Sequence, residues 1–303
     1  MMNKVTVQVP ATSANCGPGY DTLGLACTLY NKLTFELLEE QLALEVIGEG
    51  SSYLQASPDN LAFRGFFDVW NAATGNKPTG LKITMENNIP MSRGLGSSSS
   101  AIVAGVYAAN ILSGNTFTKN DLLNFATKIE GHPDNVAPAI YGGFTISYMD
   151  EKGAHSLALK PAVPLKFIAV VPEVILSTSV ARKAIPQQIE HKDAIFNVSR
   201  ASLLVGALLS GKYEFLPSAL EDKMHQPFRA HLIPALENVF RAAVNAGAYN
   251  AIISGAGSTV MAYAGLEADH QKIAEAMCSE FTNAGIKSTY HILDMDYDGV
   301  KIF

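Results

Sequence analysis

The segment Gly94-Leu95-Gly96-Ser97-Ser98-Ser99-Ser100 carries the plainest chemistry in this chain. Glycines let backbone approach a ligand closely and take positive φ. The serines open a predicted helix, whose free N–H groups and dipole attract phosphate oxygens. Their hydroxyls can also bond phosphate or a hydrated magnesium ion. Two familiar phosphate loops are excluded by residue type. No lysine follows the glycines as GxxxxGK[ST] requires, and Ser99 stands where GxGxxG needs its third glycine. A helix cap alone would use one serine of the four, so phosphate binding is the expectation.

Four more stretches gather short polar side chains, three of them with glycine: Pro10-Ala11-Thr12-Ser13-Ala14-Asn15-Cys16-Gly17-Pro18-Gly19-Tyr20-Asp21-Thr22-Leu23-Gly24, Glu130-Gly131-His132-Pro133-Asp134-Asn135-Val136-Ala137-Pro138, Leu176-Ser177-Thr178-Ser179-Val180-Ala181-Arg182, and Ile253-Ser254-Gly255-Ala256-Gly257-Ser258. With the serine loop and in this order, they resemble the motifs of the GHMP kinases, named for galactokinase, homoserine kinase, mevalonate kinase and phosphomevalonate kinase. The first three are similar to those of the homoserine-phosphorylating branch in particular. The resemblance covers nearly the whole chain.

It implies a two-domain α+β protein, with a ribosomal-S5-like N-terminal domain (residues 1–155) and a ferredoxin-like C-terminal domain (residues 156–303). The active site would lie between them, transferring phosphate from ATP to the hydroxyl of L-homoserine on the route to threonine. Pro90, Met91, Ser92 and Arg93 would lead into the nucleotide loop, and Gly94 to Ser100 would wrap the triphosphate. Glu130, with Ser97 or Ser98, would hold Mg²⁺, which favours a few protein oxygens beside phosphate and water. A carboxylate calls for an arginine fork. Arg182, beside Thr178, and Arg229, in Gln226-Pro227-Phe228-Arg229, match those positions. Asp21 would take the ammonium, and Asn15 the hydroxyl or the amino group, although Asn and Asp also build turns. Gly255 and Gly257 belong to the third glycine motif and to the substrate side.

Asn135 and His132 would orient the acceptor, supported by Asp134. No strong base is evident, which phosphoryl transfer through a loose transition state tolerates. Mevalonate or a sugar is the competing acceptor on the same scaffold. Mevalonate lacks the ammonium, and a sugar needs neither charged partner, so two arginines with Asp21 favour an amino acid. A non-catalytic nucleotide-binding protein would be expected to have lost Glu130 or the serines. Cys16 has no neighbouring histidine to activate it and reads as a small buried filler. Tyr20 is a candidate for the pocket wall.

These residues need a scaffold of two domains, for which 303 residues suffice. With 48% hydrophobic and 17% charged residues the chain can bury a large core. Its net charge is −6 and it has no basic cluster, which argues against a nucleic-acid or anionic-membrane surface. Cys16, Cys27 and Cys278 form no CxxC pair and fit reduced thiols in a cytoplasmic protein. The apolar-rich run Ala101–Leu112 is about half a bilayer span, and a homodimer is a family-level expectation. Alternation predicts strands at residues 4–9, 32–38, 42–47, 81–85, 143–149, 167–171, 251–254, 259–263 and 289–293. Helical periodicity and capping signals place helices after Asn60, from Ser97, over 118–130, 193–209, 235–245 and 269–284. Gly131-His132-Pro133-Asp134-Asn135 reads as a break, and Lys152–Pro164 as the region between domains.

Overall fold

Val5, Val7 and Val9 alternate with polar neighbours, and the strand they build, β1 (Lys4–Ala14), buries all three. The computed structural model describes residues 2–303. β1 pairs antiparallel with β2 (Leu23–Leu38), with a register shift between Pro10 and Ala11. Proline has no N–H to give the ladder, so the irregularity falls where pairing is weakest. β3 (Gln41–Gly48) lies parallel to β4 (Gly80–Asn87), which borders β2. The hairpin of β5 (Phe144–Asp150) and β6 (Gly153–Leu159) joins the same sheet through the start of β2.

The helices α1 (Leu61–Thr74), α2 (Ser97–Leu112), α3 (Lys119–Glu130) and α4 (Pro133–Tyr141) pack on that sheet. Asn60 caps α1, and Thr118 with Asp121 forms the capping box of α3. α1 and α2 touch backbone to backbone. A Cβ on Gly105 would sit 2.2 Å from the Ala62 carbonyl oxygen, and one on Gly65 2.7 Å from that of Ile102.

The second sheet contains β7 (Lys166–Pro172), β8 (Asn250–Ile253), β9 (Val260–Ala264) and β10 (Ser288–Leu293), ordered β10-β7-β9-β8 and antiparallel throughout. Between β7 and β8 run α5 (Thr178–Lys183), α6 (His191–Ser210), the one-turn α7 (Leu216–Ala219) and α8 (Gln226–Arg229), and α9 (Leu236–Ala246); α10 (His270–Asn283) precedes β10. This is the expected ferredoxin-like arrangement with an insertion before α9. Its strands are apolar on both faces. Phe167, Ala169, Met261 and Tyr263 pack with Leu25 and Phe144 of the first sheet and Leu204 of α6. Ile168, Val170, Val260 and Ala262 pack with Val239 of α9 and Ile273 and Met277 of α10.

Several expectations shift. The 155/156 divide falls inside β6, which is hydrogen-bonded along its length to β5, so a divide after Leu159 keeps that strand whole. The chain also returns: β11 (Lys301–Ile302) pairs with β1, and Cys27 bridges Met295. The glycine–proline stretch after Glu130 is not a simple break, because Pro133 starts α4 at its first turn, where a missing N–H is harmless. Among the described residues α6 is long and apolar enough to cross a membrane by length and composition alone, a feature the run Ala101–Leu112 does not have. Asn197, Leu204, Ala207 and Leu208 of α6 are buried within the fold.

Candidate active site

The serine loop leads straight into α2. Gly94 and Gly96 both have positive φ (80° and 72°), and neither has space for a side chain. A Cβ on Gly94 would lie 2.1 Å from the Ser254 carbonyl oxygen, and one on Gly96 2.0 Å from Thr12 Oγ1. Gly96 is the N-cap and supplies no side chain, so the first N–H groups of α2 are free for a ligand. The loop is stitched to its surroundings by backbone. Ser254 Oγ donates to the Gly94 carbonyl (2.6 Å), Thr259 N donates to that of Arg93 (3.0 Å), and Leu176 N to that of Ser92 (3.4 Å). The late glycine motif therefore buttresses the loop.

Beside it opens a cleft of about 450 Å³, lined among others by Pro90, Met91, Ser92, Gly94, Leu95, Gly96, Ser97 and Ser98. Three expected loop residues do not line it. Arg93 turns back to the carbonyls of Pro172, Met91 and Ser92. Ser99 Oγ donates to Glu130 Oε1 (2.7 Å), and Ser100 Oγ to the Ser97 carbonyl (2.8 Å). Ser98 Oγ also donates to Glu130 Oε1 (3.1 Å), so the end of α3 meets the start of α2 at one carboxylate. This hard oxygen set beside free helix N–H groups fits a magnesium ion shared with phosphate oxygens.

α4 carries the next group. His132 precedes it, and Asp134 in its first turn is buried and hydrogen-bonded to His132 Nδ1. Burial opposes charge on His132, but the Asp134 bond and the charges of Asp134 and Glu130 outweigh it and raise its pKa. Thr12 Oγ1 donates to Asn135 Oδ1 (2.8 Å), which leaves the Asn135 amide N–H groups for the cleft it lines.

Opposite these stands the turn after β1. Asn15, Cys16 and Asp21 all have positive φ (67°, 47° and 55°), sparsely populated values for residues with side chains. Asn15 explains how the turn holds. Its Oδ1 accepts from Asp21 N (3.1 Å) and its Nδ2 donates to the Gly255 carbonyl (2.9 Å). Asn15 is thus largely committed to scaffold, more than a ligand role alone would require. Burial pushes the Cys16 thiol up to about 12, which leaves it a filler and no nucleophile.

Asp21 and Arg182 do not stand apart. Arg182 Nη2 and Nη1 grip Asp21 Oδ1 and Oδ2 at 2.7 and 2.9 Å, and Nη1 also donates to Tyr20 Oη (3.0 Å). Arg229 is not a surface arginine: it is 2% exposed. Its Nε donates to the Ala181 carbonyl (3.1 Å), and its Nη1 to the Gly255 carbonyl (3.0 Å) and to His225 Nδ1 (3.2 Å). Burial lowers its pKa, the direction expected of a cation out of water. Thr178, Gly255 and Gly257 also line the cleft. One corner therefore holds Asp21, His132 and Asp134, whose ligand atoms lie within 4.8 Å of one another, and another holds Arg229.

Tyr20, expected at the pocket wall, lines the cleft, and one further residue, His225, gained importance only in three dimensions. Tyr20 lies under both guanidiniums, with Cζ of Arg182 and Arg229 at 5.5 and 5.4 Å from its ring centroid. His225 is fully buried behind it. Its spacing from Arg229 is one helical turn, the single local signal that could have found it.

An uncapped serine helix start and a charged cleft, on a ribosomal-S5-like sheet joined to a ferredoxin-like one, define an ATP-dependent small-molecule kinase. The family description "GHMP kinases N terminal domain" matches residues 60–143, and "GHMP kinases C terminal" matches residues 204–283. The chain belongs to the GHMP kinase family, in its homoserine kinase branch. It is 39% identical over 284 residues to a homoserine kinase of Carboxydothermus hydrogenoformans, covering 94% of this chain and 92% of that one. It is 40% identical to a homoserine kinase of Picosynechococcus sp., covering 99% and 100%. The crystal structure of homoserine kinase from Cytophaga hutchinsonii superposes with a TM-score of 0.90 at 30% identity, covering 100% of this chain and 98% of that one.

Proposed function

We propose that this chain phosphorylates the side-chain hydroxyl of L-homoserine with ATP, giving O-phospho-L-homoserine and ADP. The observation that carries the substrate is the charge layout of the cleft. Asp21 pairs with Arg182, and buried Arg229 lies on the same cleft (2.7 Å for the pair). A zwitterionic amino acid matches this layout. Its ammonium takes Asp21, its carboxylate takes the arginines, and the existing ion pair is exchanged for two new ones. Thr178 adds a polar wall at the start of α5.

The hydroxyl then lies toward Asn135, whose free amide N–H donates to its oxygen. Because Thr12 occupies Asn135 Oδ1, that residue orients the acceptor and removes no proton. His132, fixed through Nδ1 by Asp134, orients from the same side. Ser97, Ser98 and the helix N–H groups bind the phosphates. Glu130, with Ser98, would hold Mg²⁺, which when bound neutralises charge on the transferring phosphoryl group. Most of the barrier lowering comes from positioning and fixed charge. We further propose a cytoplasmic enzyme, working as a homodimer, with no nucleic-acid or membrane partner; three free cysteines agree with a reducing compartment.

The test is ADP release with ATP and Mg²⁺ against L-homoserine, mevalonate and galactose. Turnover is expected with homoserine; turnover of another alcohol in its absence would overturn the assignment. Arg182→Ala should raise the homoserine KM by roughly tenfold or more, the loss of a charge-assisted pair, with the ATP KM nearly unchanged.

A further inference from the structure

Arg229 is a buried cation that, among the described residues, forms no ion pair. All of its partners are neutral: two carbonyls and one histidine nitrogen. The histidine has only one way to serve. His225 Nε2 lies 2.7 Å from the Gly17 carbonyl oxygen, which can only accept, so Nε2 carries the proton. Nδ1 then presents its lone pair, and Arg229 Nη1 donates to it at 3.2 Å. The ring is held further by its tilted contact with the Tyr20 ring (5.4 Å between centroids). Asp222 fixes the backbone below. It accepts the N–H groups of Met224, His225 and Gln226 at 2.9, 2.9 and 2.6 Å, and Gln226 Oε1 accepts from Ile253 N at 2.7 Å. α8 is thereby tied to β8, and the imidazole is set before any substrate binds.

A carboxylate in place of this imidazole would hold Arg229 equally well and cancel its charge. A neutral acceptor holds the guanidinium and leaves the charge for a ligand. We propose that His225, as its Nε2–H tautomer, is a positioning residue for the amino-acid carboxylate: it aims Arg229 into the cleft without neutralising it. The proposal rests on the homoserine assignment and names a determinant of that site which does not touch substrate.

Three variants separate aiming from mere support. His225→Asn keeps an acceptor near the Nδ1 position and loses the bond to Gly17. His225→Gln keeps a donor toward Gly17 and loses the acceptor facing Arg229. His225→Ala loses both. Steady-state ADP release gives KM for homoserine, KM for ATP and kcat. The homoserine KM is expected to rise about tenfold in His225→Gln and His225→Ala, the range for a hydrogen bond to a charged group, with the ATP KM within about twofold. His225→Asn should recover most of the loss. If His225→Ala fails to fold, the Asn and Gln pair still decides. A Gln variant like the wild type beside a damaged Asn variant would make His225 a scaffold anchor and overturn the proposal, as would an equal rise in both KM values. Absence of homoserine turnover in the wild-type enzyme would instead remove the substrate assignment, and this proposal with it.

Discussion

Arg182 and Arg229 carry the same charge in different electrostatic settings. Arg182 is paired through both terminal nitrogens with Asp21, and each side chain of that pair is 35% exposed, so the pair itself contributes little stability. It can therefore be exchanged for a zwitterion at small cost. Arg229 has lost its water and gained only neutral acceptors, which leaves it the stronger anchor for an anion. The same logic makes His225 sensitive to pH. Burial pushes its pKa below the ordinary value, against the pull of Asp222, with the Arg229 cation acting in the same direction as burial. Asp21 faces it too, opposing that shift, and the Tyr20 ring lies tilted against it. As pH falls through about 6.5 the unfolded chain takes up this proton first, so folding stability drops until the lower folded value is passed. Urea unfolding of the wild type and His225→Asn, from about pH 7.5 to about pH 5, should show the wild type losing stability more steeply, by at most about 1.4 kcal/mol per pH unit. Parallel curves would show that the fold leaves the His225 proton affinity unchanged and would overturn this expectation. At this scale residue type and order pointed to the serine loop, while Asp21 and both arginines were singled out through the family resemblance; Ser97, Ser98, Asp21, Arg182 and Arg229 all line the cleft. The tautomer of His225 and the double engagement of Asn15 depend on carbonyls of Gly17 and Gly255, which no local pattern places.

α2 is the element on which the proposed nucleotide site depends, because its first turn belongs to the serine loop and its middle is wedged against α1. The contact works only without a side chain at Gly105, since a Cβ there would lie 2.2 Å from the Ala62 carbonyl oxygen. Gly105→Ala should push the two helices apart, destabilise the protein by about 1–3 kcal/mol as overpacking does, and raise the ATP KM as the loop moves. Gly206→Ala in α6 is the matched control, because a Cβ there meets nothing within 4 Å. That change should be neutral or stabilise by up to about 1 kcal/mol, since alanine is the better helix former. Denaturant midpoints and ATP kinetics for the pair check both; equal behaviour would refute the wedge. Strongly amphipathic or well-capped elements such as α1, α3 and α10 were readable in advance. α4 was hidden by Pro133 and by the glycine before it, although proline at a helix start is favourable. β6 was hidden because it is a half-exposed edge strand with weak alternation, defined by its pairing to β5.

Across the whole molecule the two domains share apolar volume. Leu25 and Phe144 of the first sheet, Phe167 and Tyr263 of the second, and Leu204 of α6 fall in one buried cluster, and β11 returns to β1 with Val7 opposite Ile302. Local patterning could announce two domains but not this seam, because inter-sheet packing and a two-residue strand leave no periodic trace. The cleft opens along that seam, so the relative placement of the loop and Arg229 depends on it. Phe167 is the place to test the coupling: it is fully buried and meets Tyr263 edge to face at 4.9 Å. Phe167→Ala should cost about 3–5 kcal/mol, the range for truncating a buried aromatic. If the seam joins the domains, that loss should lower one cooperative transition, seen alike in calorimetry and in far-UV circular dichroism. Two resolved transitions, with only one displaced by the substitution, would mean that the domains fold independently and that the seam does not set the geometry of the cleft.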